Sequence, residues 1–133
     1  LPGIVGAEQL AWLAKSLDAR PDRVAVVMTH HQPDVRPEPK GLIDTKALID
    51  VLSPRKQVKA LLFGHTHRWE YFKQPDGTHW VNLPTTAYVF AKEMPAGWVD
   101  MTVADNGATL QLICLDETHP HHLQKLELDW RAV

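Results

Sequence analysis

Two apolar runs, RVAVVMT at 23–29 and VKALLF at 58–63, constrain most strongly how this chain folds. Each has the length and the β-branched or aliphatic composition of a strand that lies buried inside a sheet. Each is followed at once by histidines, the first run in THHQP and the second in GHTH. Because parallel strands of an α/β sheet end at the same edge, we expect the two histidine pairs to lie near each other.

Helical patterns precede both runs. The segments GAEQLAWLAKSL at 6–17 and GLIDTKALIDVL at 41–52 repeat apolar residues with helical spacing. The order helix, strand, helix, strand is typical of an α/β sheet with helices on its outer face.

The second half of the chain has a different pattern. RWEYFKQ and THWVNL alternate polar and apolar residues around PDG, and GWVDMTVAD and ATLQLICLD flank NG. These patterns predict antiparallel hairpins. LQKLELDW, near the end, fits either an edge strand or a short helix.

Length and composition exclude several classes of protein. A chain of 133 residues predicts one compact unit over 1–133. Its formal net charge of −2, without a basic block, gives no sign of a nucleic-acid surface. No apolar run approaches the roughly 20 residues of a membrane span, which leaves localisation open between cytoplasm and export. The one cysteine, Cys114, excludes an internal disulfide and is predicted to be a small buried hydrophobe.

The histidines that follow the strands are candidate metal ligands. Neutral imidazole binds zinc, manganese and iron, and His65 and His67 are spaced so that they can reach one ion or two adjacent ions. A lone H-x-H pair is more often an exposed surface feature, but two histidine clusters that each directly follow a buried strand favour a site. The remaining histidines are interpreted as structural or exposed (His79) or as solvated (His119, His121, His122).

The sequence VAVVMTHHQP followed by LLFGHTH resembles the carboxy-terminal half of the calcineurin-like metallophosphoesterases. The flanking segments, QLAWLAKSL before the first strand and VNLPTTAY and PAGW after the second, agree with that family. The resemblance implies an α/β (α+β) fold, the C-terminal half of a four-layer α/β/β/α sandwich with helices outside a mixed sheet. It also implies hydrolysis of a phosphate mono- or diester by two metal ions (manganese, iron or zinc) about 3.5–4 Å apart.

Carried over by motif, the resemblance assigns His30 and His65 to the second ion and His67 to the first. His31 would be a neighbour that shapes the site or touches substrate, although the sequence alone does not choose between His30 and His31. Gly64 would be structural, letting the backbone turn tightly. Four residues near the presumed pocket are candidates for phosphate or leaving-group contacts: Arg36, Arg68, Tyr88 and Lys92.

The resemblance also implies motifs that this sequence does not contain. The family's Asp-x-His, Gly-Asp-x-x-Asp and Gly-Asn-His stretches have no counterpart here, and the acid histidine belongs to them. Together with the LPGIVG beginning, this predicts the C-terminal part of a metallophosphoesterase domain whose N-terminal half is absent. Such a fragment is expected to be inactive alone, with partial or no metal occupancy. An exposed apolar sheet face would be covered by the missing half, a second copy or a swapped element.

Two other functions are weighed against this one. The chain could be a non-catalytic α/β module whose histidines hold a structural or adventitious ion used for assembly. A metallo-β-lactamase-like hydrolase requires H-x-H-x-D-H, whereas Arg68, Trp69 and Glu70 follow His67 here. The identities of substrate and metal stay open at this level.

Overall fold

The structure is a computed structural model that describes residues 1–133. It contains two helices and seven strands. Their bounds are α1 Ala7–Asp18, β1 Ala25–Met28, α2 Thr45–Leu52, β2 Val58–Phe63, β3 Glu70–Lys73, β4 His79–Asn82, β5 Gly97–Ala104, β6 Gly107–Cys114 and β7 Lys125–Asp129.

Four strands form a mixed sheet in the order β1-β2-β4-β3. Strand β2 pairs in parallel with both β1 and β4, while β3 runs antiparallel to β4. Every residue of β2 is buried because it has a strand on each side and packed layers on both faces. Strand β1 lies at the sheet edge and is only half-buried. The prediction that both apolar runs form fully buried strands is therefore confirmed for β2 and wrong for β1.

Three strands form a separate antiparallel sheet in the order β5-β6-β7. The segment 123–130, which fits either an edge strand or a short helix in the sequence, therefore contains the edge strand β7 and no helix. The β5–β6 turn lies one residue earlier than the NG pair indicates, because Ala104 pairs with Gly107 inside the ladder. A Cβ on Gly107 would lie 2.2 Å from the carbonyl oxygen of Leu128, which explains why a glycine fits this strand.

Two hydrophobic cores hold the layers together. Leu62 and Val81 of the mixed sheet pack against Leu110 and Leu112 of the antiparallel sheet. On the opposite face, Leu61 belongs to the core that joins the mixed sheet to both helices. The layers thus run helices, mixed sheet, antiparallel sheet, which confirms the predicted fold class of helices outside a mixed sheet followed by antiparallel hairpins.

The sequence predicts an exposed apolar sheet face without specifying which one, and the broad outer face of the three-stranded sheet is largely polar. Apart from Trp98 and Ile113, its side chains are polar or small, including Asp100, Thr102, Thr109, Gln111, Lys125 and Glu127. Exposed apolar side chains lie instead near the free edge of β1 and on α1, where Ile4, Trp12 and Met28 are 63%, 67% and 67% exposed. Neither helix has the length and apolar character that crossing a membrane requires.

The C-terminal segment is tied to the rest of the fold by Arg131. Its side chain is only 5% exposed. The guanidinium donates to the carbonyl oxygens of Leu52, Ser53, Arg55 and Val58 at 2.9–3.2 Å. One arginine therefore satisfies carbonyl groups at the end of α2 and at the start of β2.

Candidate metal centre

The two histidine loops, residues 29–33 and 64–67, meet at the carboxyl edge of the mixed sheet. The pairing of β1 with β2 continues past the strand ends, since Thr29 N donates to Leu62 O at 3.0 Å and Gly64 N donates to His30 O at 2.9 Å. Backbone hydrogen bonds thus hold the THH loop directly beside the GHTH loop, at the edge where polar loops of parallel sheets collect.

Three imidazoles converge where the loops meet. Each of His30, His31 and His65 offers a ring nitrogen, and these nitrogens all lie within 4.8 Å of one another. Nε2 of His30 and Nδ1 of His65 are 3.3 Å apart. We refer to these three residues as the three-histidine cluster.

The GHTH loop takes an unusual backbone path at its histidines. His65 and His67 have φ angles of 71° and 55°, in the left-handed region that side chains other than glycine disfavour. Gly64 has no such angle, and a Cβ there would lie 3.8 Å from His30 O, an ordinary contact. The expectation that Gly64 supplies the tight turn is therefore wrong, because the conformational demand falls on the two histidines.

The side chain of Asn82, at the end of β4, supports this loop. Its Nδ2 donates to the hydroxyl of Thr66, which lies between the two strained histidines. The other amide atom, Oδ1, is buried and has no hydrogen-bond partner. Sequence reasoning missed Asn82, although its position at the carboxyl end of a predicted strand is a signal of the same kind as that of the histidines.

His67 lies to one side of the cluster. Its Nδ1 is 2.6 Å from the carbonyl oxygen of Tyr88, so Nδ1 carries the proton and donates. The ring of Phe90 stacks on that imidazole with centroids 4.4 Å apart and planes 16° apart. This arrangement fixes the ring and leaves the Nε2 lone pair available to a ligand.

His31 is held by the first residues of the chain. Its Nε2 lies 3.0 Å from the carbonyl oxygen of Leu1, to which an N–H at this position donates. Gly3 packs directly against the ring, and a Cβ on Gly3 would lie 2.5 Å from Nδ1. The sequence pattern gives no signal for this contact, since it depends on how the segment 1–6 crosses the sheet edge.

The electrostatics of the cluster favour a neutral imidazole at its centre. Burial lowers the pKa of His65, and the positive charges that His31 and His30 carry when protonated lower it further. A neutral imidazole offers a lone pair to a cation, so this environment suits a metal ligand.

The donor set fits one side of a metal centre. Zinc binds imidazole nitrogens at about 2.0–2.1 Å, and three nitrogens this close together reach one ion after small side-chain rotations. The cluster includes no carboxylate. Imidazoles alone do not offset the charge of two divalent ions, so the residues present fit the imidazole ligands of a centre and not its complete coordination.

Of the four residues predicted to contact substrate, Arg36 is bound to a carboxylate of its own loop. The Arg36 guanidinium donates to both carboxylate oxygens of Asp34, at 2.7 and 2.5 Å. This arginine holds the pKa of the Asp34 carboxyl well below its usual range, and backbone N–H groups of Lys40 and Gly41 lower it further. Arg36 thus organises its own loop.

The other candidates lie after the GHTH loop. The Arg68 side chain forms an ion pair with Glu70 and is 38% exposed. Lys92 is exposed. Tyr88 is 64% exposed and contacts His67 through both its carbonyl oxygen and its ring, whose centroid is 5.0 Å from that of the imidazole. Of this set, Tyr88 is the residue that directly contacts a candidate ligand.

The remaining histidines have structural contacts. His79 is fully buried. Its Nδ1 lies 2.8 Å from the Tyr71 hydroxyl and its Nε2 lies 2.5 Å from the carbonyl oxygen of Asp129. Nδ1 of His122 accepts from the backbone N–H of Cys114 at 3.1 Å. Cys114 is buried as predicted, and burial raises the pKa of its thiol.

No family model matches the sequence. The chain is similar to a 3′,5′-cyclic adenosine monophosphate phosphodiesterase, CpdA, of Pseudomonas aeruginosa, with 33% identity over 95 residues, 68% of this chain and 35% of the relative. It is 31% identical to a probable cyclic nucleotide phosphodiesterase of Synechococcus over 116 residues, 81% of this chain and 44% of the relative. The chain thus spans less than half the length of these curated relatives.

Among solved structures, a dimetal phosphatase from Danio rerio has a similar fold. The TM-score is 0.71 with 16% sequence identity, over 95% of this chain and 38% of that one. At this identity the likeness shows the fold alone. The curated relatives supply the sequence similarity. The chain belongs to the calcineurin-like metallophosphoesterase family.

Proposed function

We propose that this chain contributes the imidazole ligands of a two-metal centre that hydrolyses a phosphate ester. The observation that carries the proposal is the convergence of His30 and His65, whose ring nitrogens are 3.3 Å apart at the edge where two parallel strands end. A backbone strained at His65 and a neutral ring at the same residue support it, since both are expected of a preorganised ligand.

In this proposal His30 and His65 hold one ion, and His67 binds the other through Nε2. The ions, when bound, supply Lewis-acid activation of the phosphate group and of the attacking water. The protein holds the rings in place. The Tyr88 carbonyl oxygen orients His67, and the strand pairing between Gly64 and His30 keeps the two loops together. His31 lies beside this set and shapes the side that faces Leu1.

The carboxylate ligands are proposed to come from another part of the protein. The cluster has none of its own, and the curated relatives are more than twice as long as the part of them that this chain matches. We therefore treat residues 1–133 as the C-terminal part of a metallophosphoesterase domain that is inactive without the remaining ligands. The partner that completes it is the N-terminal half of the domain or a second copy.

A phosphodiester is the proposed substrate class. Two relatives are named as phosphodiesterases of cyclic nucleotides, which makes cyclic nucleotides the first compounds to test. The alternative is a non-catalytic module in which the three-histidine cluster holds one structural ion for assembly. The position of His67 outside the cluster favours this alternative, because it leaves one three-imidazole set that a single ion fills.

The decisive experiment compares this chain with the product of the full open reading frame. Metal content is measured by mass spectrometry after loading with manganese or zinc, and hydrolysis is measured with bis(p-nitrophenyl) phosphate and cyclic AMP. We expect two ions and turnover in the full product and no turnover in the chain alone. Turnover by the chain alone would refute the fragment proposal, while a full product that binds metal without hydrolysing either ester would favour the structural role.

A further inference from the structure

We propose that the exposed rings of Tyr88 and Phe90 bind the nucleobase of a nucleotide substrate beside the candidate metal centre. This inference rests on the proposed function for the phosphate site, and it adds the residues that recognise the other end of the substrate. Tyr88 and Phe90 are called the aromatic pair below.

The aromatic pair lies directly against a candidate ligand. The Phe90 ring stacks on His67 with centroids 4.4 Å apart, and the Tyr88 ring meets the Phe90 ring edge to face at 5.4 Å. A base held on these rings would therefore lie close to a phosphate bound at His67. That separation matches a nucleotide, in which base and phosphate are joined by a single ribose.

Both rings are available for a ligand. Phe90 is 69% exposed and Tyr88 is 64% exposed, although Phe90 already has one face against His67. Exposed aromatic side chains that contact neither the core nor each other need no functional explanation. This pair differs because its rings contact each other and His67, and an exposed aromatic face is the usual platform on which a base stacks.

The loop that carries the aromatic pair is anchored at both ends. Thr85 and Ala96 form an isolated bridge, and Gly97 N donates to Thr85 O at 2.7 Å. The Thr85 hydroxyl accepts from Ala87 N at 3.0 Å, next to the pair. On the other side, His119 Nε2 lies 3.1 Å from the carbonyl oxygen of Glu93. A ligand that stacks here does not have to order the loop first.

A second surface near the cluster is less suited to a base. A groove between α1 and β1, about 300 Å³ in volume, reaches His30 and His31 and includes Trp12. Its walls are mainly aliphatic, from residues such as Val27, Leu42 and Leu48, and Trp12 is its one large aromatic ring. The aromatic pair has exposed Thr86 and Lys92 nearby in the same loop, which supply polar partners for the edge of a base.

Affinity for two ligands that differ only in the base tests the inference. The zinc-loaded product of the full open reading frame is titrated with adenosine 5′-monophosphate and with ribose 5-phosphate, and binding is followed by NMR. Stacking of one base on aromatic side chains favours the nucleotide by roughly 5-fold to 150-fold. We expect such a ratio for the wild type, with shifts of the Tyr88 and Phe90 ring protons that only the nucleotide induces.

Variants of the aromatic pair test whether these two rings are the base-binding surface. The double variant Tyr88→Leu, Phe90→Leu is expected to reduce the ratio to about one. Its affinity for ribose 5-phosphate is measured separately, because both rings also contact His67 and only the ratio reports on the base. The matched control is Trp98→Leu, which removes a 51% exposed aromatic ring on β5 and is expected to leave the ratio unchanged. A ratio that survives in the double variant, or one that is lost in Trp12→Leu, would overturn the inference.

The phosphate site and the base site can fail separately. If zinc does not strengthen the binding of ribose 5-phosphate, the proposed metal function fails, and the ring-proton shifts with adenosine 5′-monophosphate still test the aromatic pair. If both ligands bind with equal affinity in a zinc-dependent way, the metal function stands and the base surface is refuted. The base surface is also refuted if the nucleotide shifts no ring proton of Tyr88 or Phe90.

Discussion

Nε2 of His30 and Nδ1 of His65 lie 3.3 Å apart, although 35 residues separate them in the chain. Two ring nitrogens at this distance either share one proton in a hydrogen bond or direct two lone pairs at one cation between them. Because burial and neighbouring histidines lower the pKa of His65, the second arrangement is accessible near neutral pH. This pair is the structural basis of the proposed metal centre.

The first prediction concerns zinc affinity. Replacing either His30 or His65 by alanine is expected to weaken zinc binding by more than about 100-fold, since losing only an outer hydrogen-bond partner of a ligand costs roughly 10–100-fold. Isothermal titration calorimetry on each variant measures the effect. His121→Ala is the matched control, because His121 is an exposed histidine outside the cluster. Equal losses in all three variants would argue against a defined site.

The second prediction tests the strained backbone of the GHTH loop. At His65, where φ is 71°, glycine is expected to be more stable than alanine by about 1 kcal/mol, because it has no Cβ to clash in the left-handed region. At His30, which has no positive φ, the order is expected to reverse. Urea unfolding of the metal-free pairs His65→Gly with His65→Ala, and His30→Gly with His30→Ala, measures this. Alanine being the more stable at both positions would show that the loop relaxes.

The fold was largely predictable because its signals are local. The continuous apolar run of β2 and the alternation in β5 and β6 follow from burial on two faces or on one face. The half-burial of β1 was not predictable, since its sequence is that of an inner strand and only the sheet order makes it an edge. The polar outer face of β6 can be read from the sequence once the strand register is known.

The sequence predicted which loops meet at the site, because these loops follow the ends of predicted strands, but it did not predict which side chains converge. Adjacent parallel strands bring the THH and GHTH loops together, which follows from the α/β pattern. Which rings converge depends instead on the φ angles at His65 and His67, which the preceding glycine does not reveal. Phe90 escaped prediction because an exposed aromatic residue in a loop has no sequence signal until the loop is seen against His67.

The third prediction is a pH dependence of stability that comes from Asp34. Its pKa is lower in the folded state than in the unfolded state because Arg36 and backbone N–H groups bind the ionised form. Its contribution is therefore complete above the unfolded pKa near 4 and is lost as pH falls through the lower folded value. At pH 7 we expect Asp34→Asn to reduce the free energy of unfolding by about 2 kcal/mol.

That difference is expected to shrink as the pH is lowered from 5 to 2. Denaturant unfolding of wild type and Asp34→Asn at each pH measures it. Asp50→Asn is the matched control, because Asp50 pairs with Lys46 on the exposed face of α2 and is 62% exposed. A constant gap between wild type and Asp34→Asn across the range would show that the ionised carboxylate is not the cause.

The last prediction separates the shape of Arg131 from its charge. Its guanidinium donates to carbonyl oxygens of Leu52, Ser53, Arg55 and Val58 while the side chain is 5% exposed. A lysine keeps the charge, but its single ammonium group cannot reach carbonyls on both sides of a planar fork. Arg131→Lys is therefore expected to lower the free energy of unfolding by about 3 kcal/mol, because several buried carbonyl groups lose their donors. Arg20→Lys, at an exposed arginine with one bond to Ser16 O, is expected to change it by less than about 0.5 kcal/mol. Equal small effects of both substitutions would mean that water replaces the guanidinium and that other contacts hold the C-terminal segment.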